Sequence, residues 1–545
     1  MSRLGIFLAV SFFYSTSSWV SAHKMALFVP DISNSQVLFN TRVAETLAKA
    51  GHDVTMIMIS LSDEMKGSYV NIMKEVSIYR VNASFGLTKE DFEEDQEKTL
   101  FEDMPVWDSR QRASMSKKTA ALTESCRKTV ENKEFLKWLV AQKFDLAFAH
   151  IFDVCPIGLI HYAKIPSWIW LSSGGLADFM AHYMGVPTFP SYNPPMMMES
   201  RDDMNFLERN EILDWTHPSN GIVEKARRPV YSNRMFADRE TAIFRELIDP
   251  NYPDLVDVAS QCPLVMVNSN ELYDFPRPTL AKIVNIGGVG MQFKDAQPLS
   301  SEFQQIVDNS EGLVIFSFGS VTQSHKMPLA WKNAFLEAFS RHPKLSFVMR
   351  YEGTDLKGKL PPNVHLFKWL PQADLLANPK TVAFITHGGY NSLQESITAG
   401  VPLITIALFG DQYRNVKLAE KHRFAVILRK GDINVDTIAE ALQTIVKNKV
   451  YSQNVKRLSQ MVRKKPLSPA HLLVSWAEFA AEFKTLDNLV PAGNKLNFFQ
   501  YYSLDVIVFL SSVVAVIMFV LYMLLKFVFL KIYALFTSSA KQKKA

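Results

Sequence analysis

From Val506 to Leu525 the chain runs twenty residues without a charged side chain. As an α-helix, a run of that length rises about 30 Å, the thickness of a bilayer's hydrocarbon core. A helix is also the one open structure that satisfies its own backbone hydrogen bonds in lipid. Residues 506–525 are therefore expected to form a single transmembrane helix. The tail beyond it, 526–545, holds five lysines and no acidic residue, a basic flank of the kind that stays cytosolic.

The other end suggests an address. Arg3 precedes an apolar stretch, Leu4 to Tyr14, and the small residues of Val20-Ser21-Ala22 come after it. The stretch is too short to span a bilayer and reads as a signal peptide, 1–22, removed to leave His23 first. A cleaved signal and one C-terminal span give a type I topology, with residues 23–505 in a lumen. Lys541 and Lys543 resemble a KxKxx retrieval signal for the endoplasmic reticulum membrane, although plain stop-transfer lysines would look the same. The sequon Asn82-Ala83-Ser84 suits a lumenal face.

The 545 residues exceed one ordinary domain. The net charge of +5 lies largely in the tail, so nucleic acid is not an expected partner. Three cysteines, Cys126, Cys155 and Cys262, cannot build a disulfide framework. They read as buried thiols, of which at most one pair could bridge. No Cys/His cluster has metal-ligand spacing, and no metal is expected.

Short apolar runs alternate with helical patterns, which predicts an α/β fold. Met25–Val29 and Val54–Ile59 read as strands around a helix from Gln36 to Ala50 that Gly51 stops. Leu146–Ala149, Trp168–Trp170 and Leu264–Asn268 continue the series. Between about 85 and 140 the pattern is helical, charged and less regular, and 185–220, rich in Pro, Met and Asn, reads as long loops; irregular surface segments like these often form a variable binding site. A glycine cluster, Asn285 to Gly290, marks a hinge. A second series comes after the hinge: Leu313–Ser317, Leu345–Met349, Val364–Phe367, Val382–Thr386 and Leu403–Ile406, with Asn434 capping a later helix. Two such domains, 23–284 and 285–450, would face a cleft at the carboxyl ends of their strands. Segment 451–505 reads as helices leading to the membrane.

The stretch Trp369 to Gln412 carries the chemistry. The strand ending at Thr386 runs into His387-Gly388-Gly389, and a helix starts near Asn391. Glycines such as Gly389 admit a ligand close to the backbone, and the helix N-terminus favours a phosphate. Glu395, a turn later, could accept from a sugar diol. Trp369 offers a flat face to a base, although it would also suit a core. Asp411 and Gln412 open another helix.

Trp369-Leu370-Pro371-Gln372, His387 to Glu395, Gly400-Val401-Pro402 and Asp411-Gln412 together resemble the signature of the UDP-glycosyltransferase superfamily. Ser317 to Ser320, Arg350 and Tyr502 to Asp505 resemble the animal UDP-glucuronosyltransferases. The resemblance implies a GT-B fold, two Rossmann-like domains facing a cleft, with the donor held by the C-terminal domain and a lipophilic small-molecule acceptor by the N-terminal one. It implies that Trp369 stacks on uracil beside Gln372. Ser320, His387, Asn391 and Ser392 would hold the diphosphate, Glu395 the ribose, and Asp411 and Gln412 the sugar. Arg350 is either part of this site or an ordinary strand-end charge. The reaction implied is inverting transfer from UDP-glucuronate or UDP-glucose to a hydroxyl. The donor sugar and a possible homo-oligomer are left open.

The same resemblance exposes a departure. The family's basic histidine lies fifteen residues before the glycine of a Gly-His pair. Here the pair is Gly51-His52, and the position is Gln36, an amide that takes no proton near neutrality. The partner aspartate's position holds His150. Three readings stand: His150 is the base with Gln36 and Asp153 orienting it, the chain binds UDP-sugar with weakened catalysis, or Asp31 or Asp153 is the base.

Overall fold

The structure, a computed structural model, describes residues 22–61, 71–86, 100–104, 108–189, 191–209, 233–291 and 297–542. The expected signal peptide up to residue 21, and Lys543 and Lys544, lie outside these residues.

Met25, Leu27 and Val29 alternate along β1 (Lys24–Pro30) with Ala26 and Phe28, and all five are buried. A strand buried on both faces is what a parallel sheet between two helical layers requires. One face packs on Val37, Val43 and Leu47 of helix α1 (Asn34–Lys49), the other on Ile57, Phe135 and Leu139. Gly51, at φ +97°, ends α1 where a side chain would be strained.

Six further parallel strands complete this sheet: β2 (Asp53–Ser60), β3 (Val76–Asn82), β4 (Leu146–Ala149), β5 (Trp168–Ser172), β6 (Leu264–Val267) and β7 (Ile283–Asn285), in the order β3-β2-β1-β4-β5-β6-β7. The second sheet repeats the logic with β8 (Gly312–Ser317), β9 (Leu345–Arg350), β10 (Val364–Phe367), β11 (Thr381–Thr386), β12 (Leu403–Thr405) and β13 (Ala425–Ile427), in the order β10-β9-β8-β11-β12-β13. Both are doubly wound, and the strand order reverses between β1 and β4 and between β8 and β11. Ligands bind outside the carboxyl ends of strands at such reversals.

Two crossings tie the sheets together. Leu100 and Phe101 are buried in the core of the second sheet, against Trp331 and Phe318. After the second sheet is complete, a later helix returns to the first. Its Leu473, Ala477 and Ala480 are buried with Met25 and Val43, and its Glu478 lies 3.3 Å from the buried ring of His52. Part of the 451–505 segment thus belongs to the first sheet's core.

The cysteines depart from the expectation of three thiols. Cys126 and Cys155 are bonded, and only Cys262 is a buried free thiol. Sequence spacing could not reveal that pairing, because the helix Ser109–Glu131 carries Cys126 to Cys155 only in the folded chain.

The unit that holds both sheets runs to Val490, and the chain from Pro491 onward belongs to a second unit. The latter holds a helix, Leu504–Gln542, whose stretch Leu504–Phe536 contains an 18-residue window of mean hydropathy 2.8 and is long and apolar enough to cross a membrane. It runs beyond the expected 506–525 through Lys526 and Lys531.

Candidate active site

The second sheet's reversal gathers a set of backbone and polar groups. β11 delivers His387 to a turn in which Gly388 takes φ +82°, and helix α2 (Tyr390–Ala399) begins at once, so its first N–H groups are free for an anion. A Cβ at Gly388 would sit 2.6 Å from Val416. Two other glycines flank the imidazole: a Cβ at Gly319 would lie 2.6 Å from His387 Cε1, and one at Gly389 2.7 Å. Burial, reinforced by the nearby Arg350 guanidinium, lowers the His387 pKa to about 4. Ser320, on the loop after β8, has a buried hydroxyl with no partner among the described residues.

Arg350 at the end of β9 joins two parts of this site. It donates to the Gly319 carbonyl, pairs with Glu352 at 3.1 Å and lies 5.1 Å from the Trp369 ring centroid. Trp369 is 56% exposed, so it is not core. Gln372 donates to Glu395 Oε2 at 2.7 Å and, more distantly, to Ser392 Oγ at 3.4 Å. Asp411 is half-buried, and the partial burial of its carboxyl raises its pKa. Asn415 donates both to Asp411 Oδ2 at 2.9 Å and to the Gly388 carbonyl at 3.0 Å, joining the two glycine-bearing loops. Gln412 is turned inward, its Oε1 accepting from Leu408 and Phe409 N–H.

The first sheet's reversal gathers the other candidates. Asp31 follows β1 and Gln36 lies in the first turn of α1, while His150 and Asp153 follow β4. Asn391 reaches across to this side, donating to the Ser35 carbonyl at 3.3 Å. The Gln36 Oε1 is buried without a partner among the described residues. His150 Nδ1 accepts from Phe152 N–H at 3.2 Å, so the neutral ring carries its proton on Nε2, and burial lowers its pKa to about 3. Neither nitrogen then offers a useful lone pair. Asp153 is different: burial raises its carboxyl to about 7. Glu240 lies beside it with a pKa raised by burial and by the Asp153 charge. Asp31 is raised by burial but paired with Arg80 at 3.6 Å.

The sequence did not single out Asn415, Glu240, Gly319 or Arg42, the last 3.3 Å from Glu395. Arg42, Asn415 and Glu240 sit within helices, the last two on buried faces, and Gly319 in a loop, and only the fold brings them to the site.

The model of the family "UDP-glucoronosyl and UDP-glucosyl transferase" matches residues 26–537. UDP-glucuronosyltransferase 1A8 of Rattus norvegicus is 32% identical over 502 residues, 91% of this chain and 90% of that protein. A putative UDP-glucuronosyltransferase of Caenorhabditis elegans, ugt-48, is 27% identical over 98% of this chain and 99% of its own length. Among solved structures, Phytolacca americana UGT2 complexed with UDP-2fluoro-glucose and pterostilbene aligns with a TM-score of 0.55 at 14% identity, over 84% of this chain and all (100%) of that one. The glycotransferase of kitacinnamycin aligns with a TM-score of 0.55 at 15% identity, over 85% and 99%. At such identities these two speak for the fold alone, the GT-B arrangement.

Proposed function

The chain belongs to the UDP-glucuronosyl and UDP-glucosyl transferase family, and from that premise we propose that it moves glucuronic acid from UDP-glucuronate to hydroxyls of small lipophilic compounds. That it is a UDP-sugar glycosyltransferase follows from the family; the sugar and acceptor are our reading. The observation that carries it is the set of groups around His387. The orphaned Ser320 hydroxyl, the free N–H groups of α2 and the His387 ring, packed around Gly319 and Gly389, are the groups a diphosphate would need. Trp369 stands exposed where a uracil could stack, with Glu395 and Gln372 beside it. Glucuronate is preferred over glucose because the relatives are named for it.

In the reaction, the acceptor oxygen bonds to the anomeric carbon from the face opposite UDP. The bond from that carbon to the diphosphate oxygen breaks, and its electron pair leaves with UDP. Helix N–H groups, Ser320 and His387 stabilise the departing charge. We assign the acceptor's proton to Asp153, whose raised pKa suits a general base near neutrality. His150, with Nδ1 occupied, orients rather than accepts. Gln36 offers its free Oε1 to the acceptor hydroxyl. Asp411 and the remaining amide of Gln412 would hold sugar hydroxyls.

The Cys126–Cys155 bond supports an oxidising lumen, and Asn82 is exposed at the end of β3, where a glycan could attach. These favour a type I anchor in the endoplasmic reticulum. The test is UDP release by membranes expressing the intact chain, with UDP-glucuronate and UDP-glucose each offered against a panel of phenols. Acceptor-dependent release with UDP-glucuronate supports the assignment. Release with UDP-glucose alone reassigns the sugar, and specific UDP binding without turnover favours the binding-protein reading.

A further inference from the structure

Arg42 belongs to α1, on the acceptor side, yet its guanidinium reaches the residue read as the ribose carboxylate. Arg42 Nη2 donates to Glu395 Oε1 at 3.3 Å, while Gln372 holds Glu395 Oε2 at 2.7 Å. Both partners are well covered, with side-chain exposures of 17% for Arg42 and 9% for Glu395. The stem of Arg42 is fixed by the hinge: Gly290, at φ +68°, passes so close that a Cβ there would lie 2.7 Å from Arg42 Cβ. The other terminal nitrogen, Arg42 Nη1, is buried and has no hydrogen-bond partner among the described residues.

A buried N–H group on a charged side chain without an acceptor is costly, and folded proteins keep few of them. Its neighbour Glu395, bonded once on each oxygen, can accept again, and Arg42 Nη1 needs an acceptor. A vicinal diol supplies both, because each hydroxyl donates one proton and accepts through two lone pairs. We infer that the donor's ribose is held from both sides of the cleft, its hydroxyls donating to Glu395 and accepting from Arg42 Nη1. The acceptor domain thereby contributes a donor-binding residue. Gln36 lies on the same helix, and Asn391 donates to the adjacent Ser35 carbonyl at 3.3 Å, so α1 is held against the donor helix at two points. The inference rests on the donor-site reading above.

The test compares binding of UDP and 2′,3′-dideoxy-UDP to the full-length protein in detergent micelles. Wild type, R42A and R42K are each measured, with the ligand-free melting temperature alongside. R42K keeps the stem against Gly290 and the charge but lacks the second N–H arm. The expected result is that R42A weakens UDP about tenfold, and that both variants lose most of the preference for UDP over the dideoxy analogue. R42K should do so without a change in melting temperature. Unchanged or tighter UDP binding by R42K, with the preference intact, would overturn the inference and leave the Glu395 contact as a tie between sheets. Wild-type protein that fails to bind UDP would remove the donor-site reading itself, and this inference with it.

Discussion

Asp153 and Glu240 accept hydrogen bonds from consecutive backbone amides, Asp153 from Cys155 N–H and Glu240 from Val154 N–H, each at 3.0 Å. Two buried carboxyls so placed cannot both ionise easily. Burial raises both, and the Asp153 charge raises Glu240 further, so Glu240 keeps its proton while Asp153 titrates at about 7. A base must be ionised to act, so kcat/KM is expected to fall as pH drops below about 7. D153N should cost about 100-fold or more and abolish that limb. H150N should cost under about tenfold, since the ring it replaces is neutral and already bonded. A pH profile of the three proteins checks this, and a collapse in H150N with D153N spared would return the role to His150.

Glu240 gives a separate prediction. Gln has the shape of a protonated Glu, so E240Q should keep near wild-type activity and folding at pH 7. A loss above about tenfold would mean that Glu240 is ionised there and that the proton sits on Asp153.

Much of the fold is legible in the sequence, and the rest is not, for physical reasons. Buried strands such as Met25–Val29 and Val382–Thr386 announce themselves as apolar runs, and Gly388 and Gly389 mark the donor turn. β3 escapes such a reading: its sequence, Val76 to Asn82, mixes Ser77 and Arg80 into an edge strand whose residues are mostly exposed or half-buried. The choice among His150, Asp31 and Asp153 turns on burial and on which lone pairs are occupied, and neither is written in residue order. Gln412 has the chemistry of a sugar ligand, yet half of its amide locks its own loop.

His387 should make donor binding pH-dependent. In the empty site burial and Arg350 hold its pKa at about 4. A bound diphosphate adds negative charge beside the ring and raises that value. The complex therefore binds more protons than the free protein, and affinity for UDP-glucose should rise as pH falls through the bound pKa, levelling below about 4. UDP-glucose is the probe because its diphosphate is esterified at both ends and has no second ionisation in this range. Titration calorimetry in two buffers of different ionisation enthalpy reads the proton uptake, which H387N should lose.

Gly389 tests the position of that ring. Its φ is −59°, so alanine costs no backbone strain there, but the added Cβ would meet His387 Cε1 at 2.7 Å. G389A should displace the imidazole by a few tenths of an ångström or more and lower kcat by about 100-fold, with little change in melting temperature. Unfolding in place of lost turnover would show that the glycine serves packing.

The Cys126–Cys155 bond joins the helix Ser109–Glu131 to the residue whose N–H holds Asp153. It closes a loop with a sequence separation of 29, so its reduction is expected to cost about 2–4 kcal/mol of stability. Cys262 cannot take its place by exchange, because burial pushes its thiol up to about 12. If the bond only stabilises the fold, dithiothreitol or C126S should lower the melting temperature and leave kcat of the folded fraction intact. If it also fixes the Asp153 loop, kcat should fall at temperatures well below melting while UDP affinity holds, because the donor site lies on the other sheet. The second outcome is expected, since Cys155 N–H is, among the described residues, the single backbone donor on Asp153, and a loosened Cys155 would let that carboxylate swing from the position its role requires.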